Sequence, residues 1–160
     1  MAAGDYSKDS APKAVLDDAG NASVIWSQTT RTEAATRSPG GTWSAAAVLA
    51  SQASSSVATA IDGAGNAIAV FGSSYSWHLA GGSWGPAAPL PAGSSGGLAV
   101  ADPAGTFVYT DSGGDAFTFA AGAASFGTGS GSRGSLGDLK IVPGRAVLLA
   151  ANAVSAETVS

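Results

Sequence analysis

Few side chains in this 160-residue chain are suited to acid–base, nucleophilic or metal chemistry, and their company limits what they could do. The one histidine, His78, stands in YSWHLAGGSW beside Tyr75, Trp77 and Trp84. An imidazole there could serve as a general base or lie against a sugar ring. A base, however, needs a nucleophile to activate and a third group to orient it, and the sequence displays neither. No catalytic residue is therefore assigned. In a strand, Trp77 and His78 point to opposite faces, which predicts that one packs and the other faces out. Among eleven carboxylates, Asp17, Asp18, Asp62 and Asp102 recur at one step of a repeated turn, where Asp accepts backbone N–H bonds. Asp111 and Asp115 bracket a Gly-Gly hairpin in TDSGGDAF. Oxygen ligands so spaced suit Ca²⁺, but the loop lacks the Asp/Asn ladder and terminal Glu of a dedicated site, so no metal or cofactor is expected. Glu33 and Glu157 are the only glutamates, and both are expected to be solvated on third strands rather than paired as acid and base. The better lead is aromatic. Tyr75, Trp77, Phe117 and Phe119 fall on third strands, where outward rings would stack on sugars or anchor a protein and inward rings would fill the space between sheets. With His78 they form the candidate ligand-binding set.

The elements that must carry these residues are repeated. Gly20 in LDDAGNASVIW, Gly65 in IDGAGNAIAVF, Gly105 in ADPAGTFVYTD and Gly144 in IVPGRAVLLAA follow one another at steps of 45, 40 and 39 residues. A second landmark keeps phase: Trp43, Trp84 and Phe126 follow their glycines by 23, 19 and 21 residues. Each unit opens with a short apolar segment (Lys13 to Asp17, Val57 to Asp62, Leu98 to Asp102, Leu139 to Val142), makes a tight turn, and continues into a nearly unbroken apolar run. Those runs, Ala22 to Trp26, Ala67 to Phe71, Thr106 to Thr110 and Ala146 to Ala150, read as inner core strands covered on both faces. Third strands are predicted at Arg31 to Thr36, Tyr75 to Leu79, Ala116 to Ala120 and Ser155 to Val159, with fourth strands beginning at Trp43, Trp84 and Phe126. Interrupting glycines leave no helical periodicity.

Composition sets the outer limits. Charged residues are only 11% and Gly supplies 23 positions, yet four Trp, five Phe and three Tyr provide the apolar surface that a disordered chain lacks. A formal charge of −4, with three Lys and four Arg scattered singly, offers no footprint for a phosphate backbone, so nucleic acid is excluded as a partner. No secretory signal or bilayer-length apolar segment is visible; the chain reads as soluble, with use outside the cell or in a particle left open. The absence of Cys is neutral about compartment.

Four short antiparallel strands in units of about 40 residues predict an all-β fold, a β-propeller of about four small blades, with a β-sandwich as the competing arrangement. The expected organisation is one domain over 1–160, with repeats at 11–56, 57–97, 98–137 and 138–160 and residues 1–10 available to complete the last blade. The same count suits a half-propeller that dimerises, or a piece of a longer array.

At TRSPGGTW, Thr36 to Trp43, the chain resembles the Asp-box of sialidase-like bacterial β-propellers. Gly40, Thr42 and Trp43 fall on the motif's Gly, Thr and Trp, while Ser38 stands in place of its Asp and Thr36 in place of its leading Ser. AGGSW, Ala80 to Trp84, keeps Gly81 and Trp84, with Ser83 for Thr. The resemblance implies a turn between the third and fourth strands of a blade. It does not carry over a sialidase's Arg cluster, Tyr–Glu pair and Asp; Arg31, Arg37, Arg133 and Arg145 are the only arginines from which one could be built. The expected function is a non-catalytic propeller module that binds glycan or protein, alone, as a homo-oligomer or within a larger particle. The alternative is a sialidase-like hydrolase of glycans.

Overall fold

The computed structural model describes residues 10–91 and 94–123, and beyond them the backbone of strands within 130–158. Every regular element among the described residues is a β-strand. The first sheet is formed by β1 (Lys13–Leu16), β2 (Ala22–Gln28), β3 (Arg31–Arg37) and β4 (Ala47–Ala50), and the second by β5 (Val57–Ile61), β6 (Ala67–Phe71), β7 (Ser74–His78) and β8 (Ala88–Pro89). The third holds β9 (Leu98–Ala101), β10 (Thr106–Thr110), β11 (Asp115–Ala120) and β12 (Ser130–Gly131), and the fourth β13 (Leu136–Val142), β14 (Arg145–Ala150) and β15 (Ala153–Thr158). Each is an antiparallel meander in which chain order and spatial order agree. Four small sheets in series, not two stacked layers, remove the sandwich alternative.

The repeated turn explains the repeated phrase. Asp17, Asp62 and Asp102 each accept a backbone N–H four residues on, from Asn21, Asn66 and Thr106, through side-chain Oδ1 at 2.8, 2.9 and 2.8 Å. Their carbonyls accept from Gly20, Gly65 and Gly105, whose φ angles of 93°, 85° and 96° only glycine adopts without strain. The third sheet uses the device again between β10 and β11. There Asp111 Oδ1 accepts from Gly113 and Asp115 N–H, so the carboxylate considered for Ca²⁺ is engaged in holding a hairpin.

Second strands lie mid-sheet, and in the second sheet both β5 and β6 are buried at all five positions. Contact between sheets nonetheless runs mainly through the first strands: β1 and β2 lie against β5, β5 against β9, and β9 against β13. The seam between the second and third sheets is aromatic, with Ile68, Val70, Tyr75, Phe107, Tyr109 and Phe119 at its centre. The seam between the first and second joins a small apolar cluster, Ile25, Ala34, Val57, Ala69 and Phe71, to polar bridges such as Ser23 Oγ···Thr59 Oγ1 at 3.2 Å.

Fourth strands start later than predicted, at Ala47, Ala88 and Ser130 rather than at Trp43, Trp84 and Phe126. In the second sheet Trp84 makes one isolated bridge with His78, and Pro86, without an N–H, delays the ladder to Ala88. In the first, Ser44 donates to the Thr36 carbonyl at 2.8 Å before regular pairing begins. Phe126 lies outside the described residues, as do residues 1–9 and their predicted role in completing the last blade.

Candidate functional site

The ends of β3 and β7 bring together residues that the chain separates by some forty positions. A cleft of about 330 Å³ opens between the first two sheets at the end where the repeated turns lie. Asn21, Thr36, Arg37 and Trp43 form its first-sheet wall, and Gly65, His78 and Gly81 belong to the second. Its lining includes one Arg and one His but no carboxylate.

Thr36 holds the two walls at a fixed distance. Its backbone is clamped by Ser44, whose N–H donates to the Thr36 carbonyl and whose Oγ accepts the Thr36 N–H at 3.1 Å. Its Oγ1 lies 3.2 Å from His78 Nε2 across the seam. His78 is 8% exposed, its ring 5.5 Å from that of Trp84, and burial pushes its pKa below the ordinary histidine value, so the imidazole is neutral at pH 7. Its Nδ1 is buried without a hydrogen-bond partner, and so is Arg37 Nε. The Arg37 guanidinium sits 5.6 Å over the Trp43 ring, a cation–π contact at the rim, and Trp43 itself is 47% exposed. Asn66 Oδ1 accepts the Ala80 N–H at 3.0 Å, tying the repeated turn of the second sheet to its β7–β8 loop and bracing that side.

A second cleft of about 220 Å³ lies along the same seam and is lined in part by Thr32, Gln52, Ser54 and Phe71. Its hydroxyls serve the fold: Thr32 Oγ1 donates to the Gln52 carbonyl, and Ser54 Oγ to that of Ser56.

Of the predicted ligand-binding residues, only His78 lines the turn-end cleft. Tyr75 and Phe119 are buried, and Trp77 and Phe117 pack on the same core. Trp77 stands edge-on to Phe107 at 4.8 Å and to Phe119 at 5.3 Å, and its Nε1 donates to the Ala123 carbonyl. These rings fill the gap between the second and third sheets instead of facing outward. Neither Trp77 nor His78 faces solvent, because the second sheet is covered on both sides: one side chain enters each seam. Glu33, expected to be solvated, is 5% exposed; its Oε2 accepts from Trp26 Nε1 at 3.2 Å and pairs with Arg31 Nε at 3.3 Å. Arg133 and the side chains of Arg145 and Glu157 lie outside what the structure describes. Among those described, no group of three His, Asp or Glu is placed to hold a metal ion, and no helix is long and apolar enough to cross a membrane.

Sequence reasoning missed Asn21 as a cleft residue and used Thr36 and Trp43 only as motif positions and repeat landmarks, not as a binding surface. The TRSPGGTW turn carried the signal for one wall. That His78 would stand opposite depended on how adjacent sheets twist past each other, which no local motif encodes.

No family model matches the chain, and no curated protein does. Among solved structures it is similar to "YCF48 bound to D1 peptide", at 17% identity and a TM-score of 0.58, over 92% of this chain and 49% of that one. The fold is a β-propeller. Its four successive sheets are the blades, and the chain spans about half the length of the propeller it resembles.

Proposed function

We propose that the four repeats act together as a non-catalytic binding module that seats a segment of another protein in the cleft between the first two blades. The observation carrying this reading is the unsatisfied donor in the cleft's wall: Arg37 Nε is buried without a partner, and its guanidinium lies beside the exposed Trp43 ring. A buried donor left unpaired costs free energy, and the carbonyl or carboxylate oxygens of a bound peptide would recover it. An aromatic ring next to a guanidinium is also the composition of a protein-binding hot spot. That the similar propeller is described as bound to a peptide supports the same ligand class. We read the Thr36–Trp43 turn, lying between β3 and β4, as a degenerate Asp-box that builds the cleft's rim.

The hydrolase alternative has less support. Arg31 and Arg37 begin and end the seven-residue β3, about 20 Å apart, so these two cannot hold one carboxylate.

Parallel peptide and glycan arrays, probed with the chain and with Arg37→Ala, Trp43→Ala and His78→Ala, test the proposal. Peptides bound by the chain and lost with Trp43→Ala are the expected result. Glycans bound in their place, with the same loss, would move the site to carbohydrate. Binding untouched by all three substitutions sinks the cleft.

A further inference from the structure

Two arginines bound β3, and their surroundings differ. Arg31 pairs through Nε with Glu33 Oε2 at 3.3 Å. Arg37 lines the turn-end cleft, makes no ion pair among the described residues, and has its Nε buried without a hydrogen-bond partner. No nearby acid is free to join it. Asp17 accepts from Asn21 N–H and Nδ2 at 2.8 and 2.7 Å, Glu33 is held by Trp26 and Arg31, and Asp62 by Ala64 and Asn66. Asp18 is exposed, and none of these carboxylates lines the cleft. A chain with a formal charge of −4 thus keeps an unanswered cation at one place, so the positive character of the cleft is local.

Trp43 restrains that cation without neutralising it. The guanidinium lies over the indole, with Cζ 5.6 Å from the ring centroid, a contact that supplies no oxygen acceptor to any of its N–H donors. The guanidinium edge carrying Nε and one Nη presents two parallel N–H groups at the spacing of two carboxylate oxygens. It is the edge that holds the unpartnered Nε. Charge count then selects the anion. The cleft lining has no Lys and no second Arg, and burial keeps the His78 imidazole neutral at pH 7. One cation matches the single charge of a carboxylate, whereas a phosphate monoester carries about −1.5 to −2 and is met by clusters of Arg.

Resting on the reading that the cleft seats a peptide, we infer that the part of the peptide meeting Arg37 is a carboxylate, gripped at two points by Nε–H and the adjacent Nη–H. An Asp or Glu side chain and a C-terminal carboxylate offer the same two oxygens.

A pentapeptide array made in matched forms separates these sources: acidic side chains intact or replaced by Asn and Gln, the C-terminus free or amidated, and phosphoserine in place of each acid. Peptides that bind the chain are expected to weaken about tenfold or more when one carboxylate is made neutral. Loss on the Asn or Gln form assigns the side chain, and loss on the amidated form assigns the terminus. Arg37→Gln should bind acidic and neutral forms alike. Arg37→Lys, which keeps the charge without the fork, should regain only part of the preference. Because the deciding change is made in the peptide, a variant that fails to fold leaves the comparison intact. Peptides that need Trp43 yet bind equally well in neutral form overturn the carboxylate contact and leave the cleft a peptide site. Tighter binding of the phosphoserine forms overturns it too, as does a preference for acid that survives Arg37→Gln. An array with no peptide bound in any form removes the peptide reading and the carboxylate contact together.

Discussion

Asp62 is 2% exposed, and its carboxylate accepts from the N–H groups of Ala64 and Asn66 and from Asn66 Nδ2. Removing it takes a buried acceptor from three part-buried N–H groups of the turn at once. Asp62→Ala is therefore expected to cost about 3 kcal/mol, within the range for hydrogen bonds to a charged acceptor. The same change at the half-buried Asp17, where solvent can replace the carboxylate, should cost about 1 kcal/mol. Urea midpoints measured side by side check the order, and equal losses would show that burial does not set the difference. A second residue-scale prediction concerns pH. Burial holds the His78 imidazole below its ordinary value, so below about pH 6.5 the unfolded chain takes up a proton that the folded chain refuses. Stability is then full above that pH and declines as pH falls through the ordinary histidine range. His78→Gln should flatten that slope in urea titrations at about pH 7.5 and about pH 5.5, compared with the parent chain.

At the scale of elements, the seam between the second and third blades is where large rings meet, and Trp77 joins them. It belongs to β7, stands edge-on to Phe107 of β10 and Phe119 of β11, and donates to a carbonyl beyond β11. Trp77→Ala is expected to cost about 3–5 kcal/mol by lost contacts and a residual cavity. Trp43→Ala, at an exposed rim, should fall within about 0.5 kcal/mol of the parent. Guanidinium unfolding of the two variants measures the contrast. These two tryptophans also mark what was legible in the sequence. The repeat phase, the Asp–Gly turns and the meander order could be read because each depends on residues within a few positions of one another. Which way Trp77 or Glu33 points could not, because a blade in a ring is buried on both faces and strand alternation then separates two seams rather than inside from outside. For the same reason Phe119 reads as a lead in isolation and as core in place. The delayed fourth strands belong with this: an aromatic after a Gly-Gly turn marks the return of the chain, but proline and side-chain bonding decide where the ladder resumes.

For the whole molecule, a propeller built from consecutive meanders makes protection depend on how many neighbours each blade has. β6 is buried throughout and hydrogen-bonded on both edges, within a blade flanked by two others, and β10 is buried at four of five positions. β1 borders only β2 within its sheet, and its outward residues are open. Local opening should follow that gradient, since segments with few buried contacts unfold at the smallest free energy. In native-state hydrogen exchange, amides of β6 and β10 are expected to exchange last, through global unfolding, and those of β1 first. Uniform exchange along the chain would mean that the blades open as one unit and that no face is weaker than another. A gradient running the other way, with β1 the slowest, would place the most protected seam at the chain's first blade and reverse the order in which the blades depend on each other.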